Sequence, residues 1–338
     1  MIVDETWRTA ALLILIGLVV FFAYRSLPEA DKLRLAHDKT TSVVIYEQIL
    51  RAQSLPDQDI LFIGDSSCLM GIHVERLAAR LPGTPRVASL CSIAYLGPTG
   101  YARMLRTFLV ERKKHAGRIV VVIHPDQVRR RKAWDAWVRF VDSGGQASPE
   151  QQQAPLALMT RMVEQYALDH VLSLPMKGTY GLYYGPLQRF RDEVTTHGVA
   201  SAPAPLGPRA NAADLGDAGS QPKHCRENFR HPPTALYFAA LDDLRALVAQ
   251  VGAERFLVLF TPVPSNCLDP EIEANWARMK PDLVTRLGLA PEQVIDMPVT
   301  YPLDVFESLT HLDRNGRLIY TDALAEKLSA MPVVSTRE

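Results

Sequence analysis

Apolar and polar positions along the chain fall into two rhythms. Short, nearly continuous apolar runs, ILFI at 60–63, RVASL at 86–90, RIVVVI at 118–123 and FLVLF at 256–260, with a weaker QVIDM at 293–297, read as strands buried on both faces. Between them the stretches 73–81, 99–114, 234–250 and 268–287, and a last one following residue 311, carry apolar residues at helical spacing. Buried strands alternating with amphipathic helices predict a parallel sheet covered on both faces, a three-layer α/β domain.

The rhythm breaks between about 130 and 232. SGGQASPEQQQAP and GVASAPAPLGPRANAADLGDAGSQP are rich in Pro, Gly, Ala, Ser and Gln and are poor material for a core. They bracket a helical piece near 156–174 and the aromatic stretch KGTYGLYYGPLQRF. Residues 131–231 therefore read as a partly ordered insertion into an α/β domain built from 58–130 and 232–330. The insertion leaves from the carboxyl end of the RIVVVI strand, the side on which open sheets bind ligands.

At the other end of the chain, Thr9 to Tyr24 reads TAALLILIGLVVFFAY, without a charge. It is a little short of the roughly 20 residues that cross a hydrocarbon core, but Arg8 and Arg25 can snorkel and Trp7 and Tyr24 suit the interfaces. This predicts an uncleaved membrane anchor over 1–25 and a polar, partly helical neck over 26–57; a cleaved signal peptide is the rival, though RSLPEA offers no small-x-small site. Arg8 on one side against Arg25, Lys32, Arg34 and Lys39 on the other would place the body in the cytoplasm by the positive-inside rule.

Composition adds exclusions. Of 338 residues, 37 are basic and 37 acidic, so no global field attracts nucleic acid. The cysteines at 68, 91, 225 and 267 have no metal-binding or redox spacing. Cys68 and Cys91 read most simply as small buried residues, and either a Cys225–Cys267 bridge or no disulfide suits the pattern. No phosphate-cradling loop, dinucleotide fingerprint or zinc motif occurs, so neither a cofactor nor a metal is expected. In VRRRKAWDAWVRF, Trp134 and Trp137 share a helical face that could meet lipid, a partner or a glycan, or simply pack on the insertion.

Candidate chemistry concentrates in ILFIGDSSCLMGIH, residues 60–73. Gly64 lets the chain turn sharply at a strand end and Asp65 can hold that turn, which presents Ser66 at the mouth of the sheet, where free helix amides meet a developing negative charge. The plainer alternative is an N-cap serine that only starts the helix. A nucleophilic serine needs a base. Among nine histidines, His124 ends the RIVVVI strand, and His311 stands in ESLTHLDRNGRLIYTDALAEKL, after a strand and loop and before the last helix.

ILFIGDSS near the front, three strands in order, and THLDRNGRLIYTDALAEKL near the end together resemble the SGNH/GDSL hydrolase superfamily, in particular its membrane-anchored branch of teichoic acid D-alanyl transfer and alginate O-acetylation proteins. The resemblance covers roughly 58–130 and 232–328 with the anchor. It implies a flavodoxin-like α/β/α fold, Ser66 as nucleophile with its amide as one oxyanion donor, and His311 as general base. The family's aspartate three residues before the histidine is replaced by Ser308, leaving Asp304 or Glu307 to orient His311. Further donors would come from Gly97 or Gly100, although Ser92 is nearer the strand end, and Asp126 falls where the family has an asparagine. An ionised Asp126 would repel an oxyanion. Asn266, beyond the FLVLF strand, could bind substrate or cap a loop.

The function implied is O-acyl transfer or ester hydrolysis on a cell-envelope or exported polysaccharide through an acyl-Ser66 intermediate, at the periplasmic face of a bacterial inner membrane and beside a multipass membrane acyl-transfer protein. The alternative is a catalytically degenerate accessory or carbohydrate-binding protein of a polysaccharide-modification complex.

Overall fold

The computed structural model describes residues 18, 22, 40–92, 96–125, 127–129, 135–144 and 233–331. Five strands form a parallel sheet: β1 (Gln58–Ile63), β2 (Val87–Ser89), β3 (Ala116–Ile123), β4 (Phe256–Phe260) and β6 (Val294–Ile295), in the spatial order β2-β1-β3-β4-β6. The three central strands are those with continuous apolar runs. Leu61, Phe62, Ile63, Ile119, Val120, Phe256, Val258 and Leu259 are sealed from solvent, as a sheet covered on both faces requires. The run at 86–90 and the weaker one at 293–297 are the short edge strands.

Eight helices flank this sheet among the described residues: α1 (Thr40–Ser54), α2 (Ser66–Gly71), α3 (Val74–Arg80), α4 (Gly97–Arg106), α5 (Asp135–Asp142), α6 (Ala235–Val251), α7 (Pro270–Arg286) and α8 (Arg314–Ala330). They form two sets: α6 packs on α4 and α7, while α8 packs on α2 and α3. The neck region contributes to the core, since α1 buries Val44, Ile45, Ile49 and Ala52. The helix expected over 99–114 is α4 followed by a wider π turn at Thr107–Glu111. Two small pairings complete the fold: β5 (Val263–Pro264) runs parallel to β7 (Thr300–Tyr301), and β8 (Phe306–Ser308) is antiparallel to β9 (His311–Leu312).

Two expectations about this framework need correction. Among the described residues no helix is long and apolar enough to cross a membrane. The sixteen-residue stretch that suggested an anchor lies outside the described residues except for Leu18 and Phe22. The fold is thus stated as a parallel sheet flanked by helices, and the N-terminal transmembrane helix, with the single-pass inner-membrane placement drawn from it, is set aside. The second correction concerns cysteine: Cys68 and Cys91 are not merely small buried residues but are joined in a disulfide, and Cys267 is disulfide-bonded as well. Cys225 lies outside the described residues, as does nearly all of the expected insertion, including Trp134 and the pieces at 156–174 and 177–190. Trp137, on α5, packs edge-on to Phe140 against the core.

Candidate functional site

The site begins where β1 ends. Gly64 is dictated by its neighbour strand: a Cβ there would lie 2.8 Å from the Val122 carbonyl oxygen and 2.9 Å from its Cβ. Only a glycine lets β1 pass β3 this closely as it turns. Asp65, not Ser66, is the N-cap of α2; its buried carboxylate accepts from the Ser67 amide at 2.9 Å and from the Ser67 hydroxyl at 2.5 Å. Because the aspartate satisfies the helix end, Ser66 is freed from the capping role that the sequence left open for it. Ser67 faces inward, with its hydroxyl 3.3 Å from Thr261 Oγ1 at the exit of β4. Ser66 is half-exposed.

The histidine arrives from the far end of the chain. β8 and β9 form a minimal hairpin in which Ser308 is registered opposite His311, and Asp313 then caps α8 by accepting from the Gly316 amide at 2.7 Å. The hairpin is fastened to α8 by the Asp313 amide, which donates to Val305 O at 2.9 Å. β9 packs against α2 and sets His311 Nε2 2.9 Å from Ser66 Oγ. The other ring nitrogen, Nδ1, lies 3.0 Å from Ser308 Oγ, which in turn stands 3.5 Å from Thr310 Oγ1. A hydroxyl, a neutral imidazole and a second hydroxyl thus form one hydrogen-bonded row.

Burial pushes the His311 imidazole down to about 4; the nearby Asp65 carboxylate works in the opposite direction and His124 adds to the lowering. At neutral pH the ring is therefore uncharged, donating from one nitrogen and accepting at the other. His124 is buried at the carboxyl end of β3, where the register continues toward Thr261 on one side and the β1 turn on the other.

The remaining expected residues distribute as follows. Asp304 is exposed on a 3-10 turn at Leu303–Val305, and Glu307 is half-buried on β8 next to Ser308. Gly97 and Gly100 are buried in the first turn of α4, which has no side-chain cap; Gly97 has φ +63°, and Gly100 makes room for the Leu96 side chain. Asn266 is half-buried on a turn beyond β5, and no hydrogen bond joins it to the Ser66–His311 pair. Asp126 lies outside the described residues. Ser92 offers no backbone donor, because its amide is used by Gly64 O at 2.8 Å. Among the described residues no group of three or more His, Cys, Asp or Glu side chains could hold a metal.

Thr261 and the Cys68–Cys91 bridge were not singled out as neighbours of the site. Thr261 is the first polar residue after an apolar strand, a weak signal by itself. Two cysteines 23 residues apart reveal their proximity only once β1 and β2 are seen to be adjacent.

No family model, no curated protein and no solved structure matches this chain. The resemblance to the SGNH/GDSL superfamily is corrected accordingly: it rested on two short motifs, three strands in order and the apolar N-terminal stretch, and comparison over the whole chain does not support it. With it falls the reading of a membrane-anchored O-acyltransferase or esterase of exported polysaccharide, which has neither a matching family nor a described membrane helix behind it.

Proposed function

We propose that the carboxyl edge of the sheet is a recognition site for a neutral, hydroxyl-rich ligand of the carbohydrate class, and that the chain serves as a non-catalytic accessory protein. The observation that carries this reading is the hydroxyl of Ser308, in place of a carboxylate, on Nδ1 of His311. A carboxylate there would hold an imidazolium and strengthen the base. With Ser308 the ring stays neutral, and the row Ser66–His311–Ser308 presents groups that both donate and accept, matching the hydroxyls of a sugar. The test is titration of the purified protein with a panel of neutral and acidic oligosaccharides, followed by the imidazole nitrogen resonances of His311. Saturable shifts that vanish in Ser66→Ala support the reading; no response to any glycan sinks it.

A second reading, a serine acyltransferase or esterase, draws support from the 2.9 Å Ser66–His311 contact. Ser66 Oγ would attack an ester carbonyl while its proton passes to Nε2; the alcohol would leave with that proton, and water or another hydroxyl would later take the acyl group, returning the proton through His311. An imidazole near 4 is a weak base for this work. Exposure to a fluorophosphonate and to an activated acetyl ester, read by intact mass, separates the readings. A single adduct lost in Ser66→Ala and slowed in His311→Ala establishes the enzyme, whereas glycan binding without an adduct establishes the accessory role.

A further inference from the structure

Ser66 stands between two ties to the same dipeptide. Two residues before it, Gly64 O accepts from the Ser92 amide at 2.8 Å; two residues after it, Cys68 is bonded to Cys91. Cys91 and Ser92 are themselves fixed to the sheet, since the Cys91 amide donates to Ser89 Oγ at 3.1 Å and the preceding Leu90 amide donates to Phe62 O at 2.8 Å. Both cysteines are buried, at 1% and 0% exposure, so the bridge belongs to the interior of the site and not to its surface.

The element held in this way cannot hold itself. α2 is six residues long, and a helix of that length is unstable in isolation. Its two ends are closed by Leu69 N donating to Asp65 O at 3.0 Å and Ile72 N donating to Cys68 O at 3.2 Å. The partner imidazole is borne on an equally small hairpin, 245 residues away in sequence. Two small elements meeting at hydrogen-bond distance need an external reference, and the cystine supplies it for one of them.

We propose that the Cys68–Cys91 disulfide is a positioning device for Ser66, setting the serine against His311 rather than stabilising the fold at large. The inference rests on reading Ser66 and His311 as the functional pair, in either the binding or the acyl-transfer form.

The experiment replaces the bridge in the full chain with Cys68→Ala/Cys91→Ala, and in a second version with Cys68→Ala/Cys91→Val to refill the space; the disulfide at Cys267 stays in place. Three quantities are read at matched folded fraction: the His311 imidazole titration by NMR, the response to the oligosaccharide panel, and the rate of Ser66 modification by fluorophosphonate. In at least one folded variant the His311 midpoint is expected to rise from about 4 toward its ordinary value as the pair opens to water, with glycan response or labelling, whichever the parent shows, reduced about 10-fold or more. The parent's titration and the parent's response in every folded variant overturn the proposal. So does global unfolding of both variants, which would make the bridge a staple of the whole domain. If the parent neither binds glycan nor takes the label, the functional reading fails on its own, and the His311 titration still decides the role of the bridge.

Discussion

The two ends of the parallel sheet are built from opposite materials. At the amino end, charged side chains close the structure against backbone groups: Asp57 accepts from the His115 amide at 2.9 Å, Asp59 from the Arg86 amide at 2.7 Å, Arg255 donates to Ala116 O, and Arg118 donates to Leu328 O and Met331 O, both at 3.2 Å. The Asp57 carboxyl is held below the usual range chiefly by that backbone hydrogen bond. At the carboxyl end the groups are small and mostly neutral, and they bond to one another: Asp65 to Ser67, Ser67 to Thr261, Ser66 to His311, His311 to Ser308. The difference separates two uses of polarity. Charges matched to carbonyls and amides fasten loops, whereas a row of hydroxyls around a neutral imidazole keeps its capacity to bond something else.

That contrast can be broken in five ways. The largest effect is expected from pH. His311 is ordinary in the unfolded chain, near 6.5, and near 4 in the folded one, so between those values the unfolded chain takes up a proton that the native ring refuses. Stability should be flat with respect to this group above 6.5 and fall as pH drops through the window, by about 3 kcal/mol in all. Denaturant melts from pH 7 to 4 should lose that component in His311→Gln; an identical pH profile in the variant would refute the assignment. Ser308→Asp should move the His311 midpoint upward by placing a carboxylate at Nδ1, and an unmoved midpoint would mean that the row is not formed as described.

The next effect comes from a matched pair of glycines. A Cβ at Gly64 would meet Val122 O at 2.8 Å, and one at Gly117 would meet Asp59 O at 2.9 Å, so Gly64→Ala and Gly117→Ala should each cost about 2 kcal/mol by crowding neighbouring strands. Only the change at the carboxyl end should also disturb the His311 resonances. Equal disturbance by both would show that the two edges are coupled through the sheet. Smaller still, Arg255→Met should cost about 1 kcal/mol in urea melts for the lost bonds to Ala116 O and leave the site untouched. The smallest is Ser66→Ala, expected within about 0.5 kcal/mol of the parent in stability while removing glycan response or covalent labelling. A large loss of stability there would recast Ser66 as structural.

Most of the framework was legible because burial on both faces leaves an unmistakable trace. ILFI, RIVVVI and FLVLF could be placed as buried strands without a structure, and GDSS could be placed at a strand exit because a glycine and an aspartate have few other uses there. The hairpin that carries His311 left almost no trace, since two- and three-residue strands have no measurable periodicity and their pairing is fixed by α8 and the Asp313 cap. The spacing did mark Ser308 as the residue three before His311, but the search there was for an acid, and the bond of its hydroxyl to Nδ1 is visible only in the registry of the hairpin. Reading Cys68 and Cys91 as separate small residues failed because their proximity is a property of the sheet order. The family resemblance and the anchor erred in another direction, by letting short motifs and a sixteen-residue apolar stretch stand for a whole chain.

The separation of 245 positions from Ser66 to His311 also sets a clock. At a synthesis rate of about 5–20 residues per second, the serine is made roughly 12–50 s before its histidine exists. Throughout that interval the β1 turn can fold and close its cap, yet the hydroxyl has no imidazole to answer it. The pair is assembled only when the β8–β9 hairpin docks, so the newborn chain carries Ser66 without its imidazole partner until residue 311 has been made.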